Sequence, residues 1–429
     1  MHKGLLLSIS ICSGLCLTNL VNAQRVISLE EAEKLFIERN AELIITTQKE
    51  IIEADAAIKE AKLFNNPELS LGEVNLWRNS HQREGESEVI PPLFGKLGKN
   101  RQFSIGLSQE IRLGGERRKL IKKEKGIRKV VDFENLETQQ EMLQEFKEAV
   151  FELDYAKQYL TVLMEQKKIY DSIVENYKKQ LASGYISPTE LLRIQAETLQ
   201  VEQELNESKR EYNSGVETIQ TMLGFDLSER VEIAIVGEQM RLESGLDFLY
   251  AMLGESNPTI LRSKAALEAQ QYNLKYEKSV RIPNMTLSAT YDRFGGVWKD
   301  YIGFGVSFDL PVFNRNQANT KAAKQLAKLA TFEVEQQQLK LRNKLQSTYA
   351  NYHETLCFVQ KIENEPIIKD LESLLESYRS NVLKKNISLI EFIDFMETYK
   401  DTKGILLEAQ KELYNQYSLL ESTIGIKLN

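Results

Sequence analysis

The sequence predicts a mixed α+β fold with long antiparallel α-helical coiled-coil hairpins and four transmembrane β-strands per chain. Three observations predict it. The 429-residue chain consists of two similar halves. Each half contains a helical run much longer than a globular domain. Each half also contains a pair of segments in which apolar residues alternate with small or polar ones. Internal repeats are considered first because they determine the architecture of the whole chain.

Composition excludes several classes of function before any motif is considered. The chain is 27% charged, which is too polar for a polytopic helical membrane protein. Its net charge of −7 gives no reason to expect a nucleic-acid partner. The three histidines offer one ligand pair at helical spacing, His353 with Cys357, which is half a zinc site at best. We therefore expect no metal site. An enzyme would need a convergent polar site, and the sequence shows none, so we expect no cofactor and no enzymatic activity.

The first segment, Met1–Ala23, is predicted to be a signal peptide. Lys3 precedes an apolar stretch of residues 5–17, and Val21-Asn22-Ala23 offers the small residues that a signal peptidase needs. The apolar stretch is shorter than the roughly 20 residues of a membrane-spanning helix. Cleavage would leave Cys357 as the only cysteine, so no internal disulfide is expected.

The rest of the chain is a duplication, with predicted repeats at residues 24–228 and 229–429. Ser104–Ile111 (SIGLSQEI) resembles Gly303–Leu310 (GFGVSFDL). Two further correspondences share one offset of 201 residues, so chance is a poor explanation. They are Ile186-Ser187-x-x-Glu190 with Ile387-Ser388-x-x-Glu391, and Leu223-Gly224 with Ile424-Gly425. Each half reads helix, strand, strand, long helix, turn, helix.

The long helices are predicted by the near absence of breakers. Residues 113–182 contain no proline, and between residues 316 and 384 only Pro366 interrupts, where we expect a bend. About 70 helical residues span roughly 100 Å. Apolar residues recur at alternating steps of three and four, as in a coiled coil. Gly184–Pro188 supplies a turn with Ser187 as the helix cap, so the long helices form antiparallel hairpins.

The strand pairs decide the fold class. In Tyr301–Leu310, Ile302, Phe304 and every second residue after them are apolar, whereas the intervening residues are small or polar. Residues 103–111 repeat this pattern, and residues 67–77 and 283–293 supply less regular partner strands. Ten-residue strands with one apolar and one polar face fit a transmembrane β-barrel, although water-soluble sheets show the same alternation.

Aromatic residues at the strand ends favour the membrane interpretation, because such residues gather at the water–lipid interface. The predicted interfacial aromatics are Trp77, Phe103, Phe294, Trp298 and Tyr301. Four strands cannot close a barrel, and an open strand edge is not tolerated in lipid. The chain must therefore pool strands with copies of itself. Two copies give eight strands, which side chains would fill, and three give twelve, enough for a lumen.

By these motifs, the chain resembles the TolC family of outer-membrane efflux proteins over nearly all of the mature sequence. The resemblance rests on the duplicated order, the strand pairs and the turn SGYISPTELL at residues 183–192. The Ile111–Arg117 segment (IRLGGER) is most similar to the CzcC-like heavy-metal branch. The resemblance implies a homotrimer, with a twelve-stranded β-barrel in the outer membrane above an α-helical tunnel in the periplasm.

The resemblance also implies a function and partners. The chain would be the passive exit duct for substrates, metal ions among them, that an inner-membrane efflux pump and a periplasmic adaptor protein deliver. The tips of its hairpins would contact the adaptor through Gly184, Tyr185, Ile186, Ser187, Lys384, Lys385, Asn386, Ile387 and Ser388.

Acidic residues just past the second tip surround the periplasmic mouth of the tunnel in relatives. Glu391 and Asp394 match that stretch and lie at positions i and i+3 of a helix. In a trimer they would form six carboxylates, a constriction that favours cations. The alternative is an ordinary solvated helix face. The first repeat has Glu190 and Arg193 at the equivalent positions, so only the second hairpin would constrict the mouth.

Basic residues follow the second strand into the first long helix. They are Arg117-Arg118-Lys119 and Lys122-Lys123. They form either a ring of positive charge below the barrel or a set of solvated charges, and the sequence leaves both interpretations open.

A periplasmic adaptor protein is the second function class that we considered. An adaptor would also be exported and would also contain a coiled-coil hairpin. It would carry one hairpin between soluble β-domains, however, whereas this chain has two matched halves. The duplication therefore favours the channel.

Overall fold

The computed structural model describes residues 25–75, 102–226, 231–235, 242, 245–293 and 300–428. Within them it shows long α-helices together with short strands, which confirms the predicted fold class. The predicted signal peptide, Met1–Ala23, and three of the predicted interfacial aromatics (Trp77, Phe294 and Trp298) lie outside the described residues.

The first half of the chain contains two short helices, a strand pair and a long helical hairpin. Its elements are β1 (Arg25–Ser28), α1 (Leu29–Arg39), α2 (Ala41–Lys62), β2 (Glu68–Asn75), β3 (Gln102–Ile111), α3 (Glu116–Ala182) and α4 (Pro188–Met222). Helix α3 has 67 residues, close to the length that the missing prolines predict.

The second half repeats this order. Its elements are β4 (Val231–Ala234), α5 (Leu246–Ser256), α6 (Pro258–Ser279), β5 (Met285–Asp292), β6 (Tyr301–Phe308), α7 (Gln317–Asn364), α8 (Ile367–Leu383) and α9 (Leu389–Ile424). Each repeat contains more elements than the sequence indicated, because each half also begins with a short strand and an 11-residue helix. The sequence alone did not predict these elements.

Pro366 divides the second long helix. Helix α7 ends at Asn364 and α8 begins at Ile367, with Pro366 at the N-cap of α8. Proline lacks the N–H that an uninterrupted helix would use, and its ring clashes with the carbonyl four residues earlier. The predicted bend is therefore a break between two helices.

The four predicted barrel strands form one antiparallel sheet in the order β2-β3-β5-β6. The two hairpins meet through β3 and β5, where Leu107 pairs with Ala289 and Ile105 pairs with Tyr291. Strands from the two halves are thus directly hydrogen-bonded, which the sequence alone did not indicate. β2 and β6 are the outer strands of this sheet.

The short strands β1 and β4 form a separate parallel pair, in which Arg25 pairs with Val231 and Ser28 with Ala234. This pair also joins the two halves. Helix α1 begins beside it with a capping box, in which Ser28 and Glu31 bond each other's backbone N–H groups.

The chain divides into two compact units, and each contains segments of both repeats. One unit comprises residues 1–41, 145–240 and 361–411, and the other comprises residues 42–144, 241–360 and 412–429. In the first unit, Phe36 stacks on Phe146 with ring centroids 4.8 Å apart, next to a buried ion pair of Lys147 with Glu33 at 3.0 Å. The repeat boundary at residues 228 and 229 stays a prediction.

In the second unit, Glu110 forms hydrogen bonds with residues that precede two strands from different repeats, β2 and β5. Its carboxylate accepts hydrogen bonds from the amide Nδ2 atoms of Asn65 at 2.5 Å and Asn284 at 2.7 Å. Gln109 in turn donates to the Asn65 carbonyl at 2.9 Å. The sequence alone did not predict this shared partner, because the Glu110–Asn284 contact spans 174 residues.

Candidate functional site

The first hairpin turn is built as its sequence predicts. Gly184 has φ = 75°, a left-handed conformation that glycine adopts without strain. Ser187 caps α4 through its side chain, and Glu190 bonds back to the Ser187 N–H at 2.8 Å. Pro188 occupies the first helical position, where its missing N–H costs nothing.

The second turn repeats the first one. The Glu391 carboxylate accepts a hydrogen bond from the Ser388 N–H at 2.7 Å, and the Ser388 hydroxyl accepts one from the Glu391 N–H at 3.2 Å. At the position equivalent to Gly184 stands Lys385, which has φ = 61°. The 201-residue offset found in the sequence therefore relates two turns of the same construction.

Gly184 offers a direct test of the first turn. A Cβ atom at this position would have no neighbour within 4 Å, so replacement by alanine adds only the strain of the positive φ, about 1–2 kcal/mol. We expect Gly184→Ala to raise the hydrogen-exchange rate of residues 180–190 roughly tenfold. Gly254→Ala in α5 is the control, because the Cβ has equally free space there but no positive φ is recorded. Exchange in α5 should slow; faster exchange in both variants would argue against the strain explanation.

The ends of four helices share one apolar core directly behind the turns. Its members come from the end of α3, the start of α4, the end of α8 and the start of α9. Phe392 is fully buried and lies 6.1 Å from the ring of Tyr170, while Tyr378 stacks on Phe395 at 4.0 Å. The two hairpin ends thus form one packed block.

Polar contacts also join the two turns. The Lys385 ammonium donates to the Tyr185 carbonyl, and the Gln180 side chain donates to the Leu383 carbonyl at 3.0 Å.

The predicted tip residues divide into two groups by their exposure. Seven of them are exposed: Gly184, Tyr185, Ser187, Lys384, Lys385, Asn386 and Ser388. Ile186 is only 6% exposed and Ile387 is half-buried, so both serve the core beneath the turns.

The predicted gate residues Glu391 and Asp394 are both exposed on α9. The Ser388 N–H bond lowers the pKa of the Glu391 carboxyl from its usual 4.5, so this group is ionised at neutral pH. The same arrangement lowers the pKa of Glu190 in the first turn. Glu391 and Asp394 thus lie three residues apart on one exposed face of α9.

The antiparallel sheet has one apolar face. Directly paired residues share a face, so Leu71, Ile105, Tyr291 and Ile302 form one row across the four strands. Many side chains of this face are exposed, and Phe304 is 87% exposed. The other exposed members are Leu69, Leu71, Leu107, Leu287, Ile302, Val306 and Phe308.

The opposite face consists of small and polar residues. Ser70, Gly106, Thr290 and Gly303 form one row across it. A Cβ atom on Gly106 would lie 2.5 Å from the Ser70 hydroxyl, so a larger side chain at this one position would displace Ser70. The alternation predicted from the sequence is therefore confirmed strand by strand.

Two of the predicted interfacial aromatics can be located. Phe103 is 8% exposed and its ring lies 6.1 Å from that of Tyr291. Tyr301 is exposed, but it pairs with Asp292 on the polar face, where its ring covers Gly303. Neither ring is an exposed aromatic group on the apolar face, so their interfacial role stays a prediction.

Metal-binding groups are sparse. Cys357 is an exposed free thiol, and its Sγ lies 3.6 Å from Nδ1 of His353. In the described part of the chain, no three His, Cys, Asp or Glu side chains are grouped so that they could hold a metal ion. Among the same residues, no helix combines the length and the apolarity that crossing a membrane requires.

Comparison with known proteins assigns the chain to a family. The sequence profile of the family "Outer membrane efflux protein" matches residues 38–225 and 249–355, which include the strand pairs and the first hairpin. The cobalt-zinc-cadmium resistance protein CzcC of Cupriavidus metallidurans is 23% identical over 275 residues. That match covers 64% of this chain and 61% of the length of CzcC.

Solved structures share the fold. The channel protein CusC superposes with a TM-score of 0.73 at 16% identity, over 92% of each chain. The outer membrane protein VceC of Vibrio cholerae superposes with a TM-score of 0.70 at 14% identity, over 93% of this chain and 96% of its own. These likenesses agree with the duplicated helices and the strand order described above. The chain therefore belongs to the outer membrane efflux protein family.

Proposed function

We propose that this protein is the outer-membrane channel of a tripartite efflux system. An inner-membrane pump and a periplasmic adaptor protein would deliver the substrate and supply the energy. The chain itself would be a passive duct without catalytic activity.

The observation that supports this proposal best is the antiparallel sheet. One of its faces exposes apolar side chains, its other face is small and polar, and its outer strands β2 and β6 each leave one edge for another partner. An exposed apolar face is favourable in lipid, and a strand edge in lipid must be paired. Three copies joined edge to edge would give a closed barrel of twelve strands, which can enclose a lumen.

Metal cations are the substrate class that we propose. The relative CzcC is named for resistance to cobalt, zinc and cadmium. Exposed carboxylates of Glu391 and Asp394 suit the passage of cations, because a ring of acidic side chains favours them. The adaptor would bind the seven exposed residues of the two turns, which the buried block behind them holds in place.

Single-channel recording tests the proposed duct. Detergent-purified protein should behave as a particle of three chains and should give discrete, cation-selective openings in a planar bilayer. A trimer that inserts without conducting would have a closed mouth. A stable monomer that fails to insert would contradict the barrel and would favour the adaptor function instead.

The proposed gate is tested by removing its charges while keeping its helix cap. Glutamine also serves in a capping box, so Glu391→Gln combined with Asp394→Asn neutralises six carboxylates per trimer without removing the turn. We expect the double variant to show lower cation selectivity or higher conductance than the unmodified protein.

The matched control is Glu190→Gln, which makes the same change at the equivalent position of the first turn. It should leave selectivity unchanged if only the second hairpin constricts the mouth. Equal selectivity in all three proteins would return Glu391 and Asp394 to the role of solvated surface charges.

A further inference from the structure

Basic side chains are concentrated where the helices leave the antiparallel sheet. Residues 112–129 contain nine lysines or arginines and only two acidic residues, and residues 315–328 contain four basic and no acidic residues. The chain as a whole has a net charge of −7, so this clustering is not a consequence of composition.

All four connections between strands and helices lie at one end of the sheet. Ile111, Met285 and Phe308 are paired across β3, β5 and β6, and Glu68 at the start of β2 pairs with Ser108. The starts of α3 and α7, with their basic residues, therefore follow the same end of the sheet within one compact unit.

Six of these cations form what we call the basic collar: Arg118, Lys122, Lys125, Lys321, Lys324 and Lys328. The three on α3 are spaced i, i+4, i+7 and the three on α7 are spaced i, i+3, i+7, so each set lies along one helix face. All six are exposed, and none forms an ion pair with a carboxylate in the described ranges. Arg118, Lys122, Lys321 and Lys324 lie within roughly 10 Å of the first residue of their helix, at 1.5 Å per residue.

Exposed apolar side chains lie in the connections between the helices and this end of the sheet. This apolar belt consists of Leu63, Phe64, Leu310, Val312 and Phe313. Phe313 is 93% exposed and Phe64 is 77% exposed, although the Arg117 guanidinium lies 3.9 Å from the Phe64 ring. Moving away from the sheet, the surface thus changes from apolar to cationic over a short distance.

This order matches the chemistry of an anionic lipid leaflet, in which acyl chains give way to headgroup phosphates within several ångströms. We propose that the apolar belt and the basic collar bind the surface of a leaflet rich in anionic phospholipid. The belt contacts the acyl boundary, and the collar contacts the headgroup phosphates. The inference rests on the proposed function, because it requires the sheet to lie in a membrane.

The proposal is tested by comparing anionic with zwitterionic lipid. Native mass spectrometry would measure the binding of phosphatidylglycerol and of phosphatidylethanolamine to the purified protein. The collar variant combines Arg118→Gln, Lys122→Gln, Lys321→Gln and Lys324→Gln. Each cation near an anionic surface strengthens binding by about fivefold, so we expect the affinity for phosphatidylglycerol to fall at least about tenfold. The affinity for phosphatidylethanolamine should stay the same.

A control variant removes the same charge elsewhere on the helices. Lys168→Gln, Lys178→Gln, Lys209→Gln and Arg210→Gln neutralise four exposed cations in the other compact unit. This variant should bind phosphatidylglycerol as the unmodified protein does. Equal binding of the two lipids by the unmodified protein, or an unchanged preference in the collar variant, would overturn the proposal.

The outcome is separable from that of the proposed function. Insertion into vesicles of phosphatidylcholine alone tests the barrel without the collar, because that lipid carries no net charge. A protein that inserts there but shows no preference for phosphatidylglycerol would refute only the collar. A protein that does not insert into any vesicle would refute both.

Discussion

Replacing Phe304 with arginine should abolish assembly into the outer membrane. Phe304 lies in the middle of β6 on the apolar face and is 87% exposed in the single chain. An arginine near the midplane of a lipid-facing strand costs about 2–4 kcal/mol, and a trimer would contain three such residues. In a water-soluble protein, a substitution at so exposed a position would change the free energy of unfolding by at most about 0.5 kcal/mol. The amount of trimer in isolated outer membranes measures the effect.

The control lies three residues further along the same strand. Ser307 is exposed on the polar face, opposite Thr286. Ser307→Arg adds the same charge to the same strand, and we expect near-normal amounts of trimer because this face would line the water-filled lumen. If both variants assembled equally well, lipid would not be the partner of the apolar face, and the proposed barrel would have to be abandoned.

Truncating Phe392 to alanine should loosen the block behind the two turns. The side chain is fully buried in the core that four helix ends share, with the Tyr170 ring 6.1 Å away. Removing a buried phenylalanine costs about 3–5 kcal/mol, because apolar contacts are lost and a cavity remains. We expect rapid hydrogen exchange and easy proteolysis in residues 170–195 and 378–400. We also expect poor binding of a purified adaptor, since the seven exposed tip residues would no longer be held together.

The Tyr185→Ala variant distinguishes the packing of the block from direct contact with an adaptor. Tyr185 is an aromatic residue of the first turn and is 72% exposed, so its loss should leave hydrogen exchange in the block unchanged. If the tips bind an adaptor, this variant should weaken binding without loosening the helices. A Phe392→Ala protein with normal protection would show that the core does not determine the conformation of the turns.

The parts of the fold that the sequence predicted depend on residues close together in the chain. The strand β6 was recognisable from its alternation, and both turns were recognisable from serine and glutamate three residues apart. The structure bears out both, with the Ser187–Glu190 and Ser388–Glu391 bonds in place. These features need only the local geometry of a strand or of a helix start.

Several side chains could not be placed in advance. Ile186 was predicted to contact an adaptor, and the structure buries it in the core of the block. Tyr301 lies on the polar face over Gly303, and its place at a lipid interface stays a prediction. The surroundings of both side chains depend on residues that they contact in the folded chain. For Ile186 these residues belong to the four helix ends of the block. The strands β1 and β4 and the helices α1 and α5 were not predicted, because elements of four and eleven residues have too weak a periodic signal.

The sequence by itself determined the duplication, the long hairpins, the two-faced strands and the family. The first three follow from periodicity, from capping residues or from the repeat itself, and the family follows from the resemblance that these motifs carry. All four can be read without knowing what each element contacts. Only the tertiary structure decided that β3 pairs with β5 and that Glu110 joins Asn65 to Asn284. It also decided that the basic residues of both halves follow one end of one sheet. These facts depend on contacts between residues that are far apart in the chain, for which a single sequence contains no local signal.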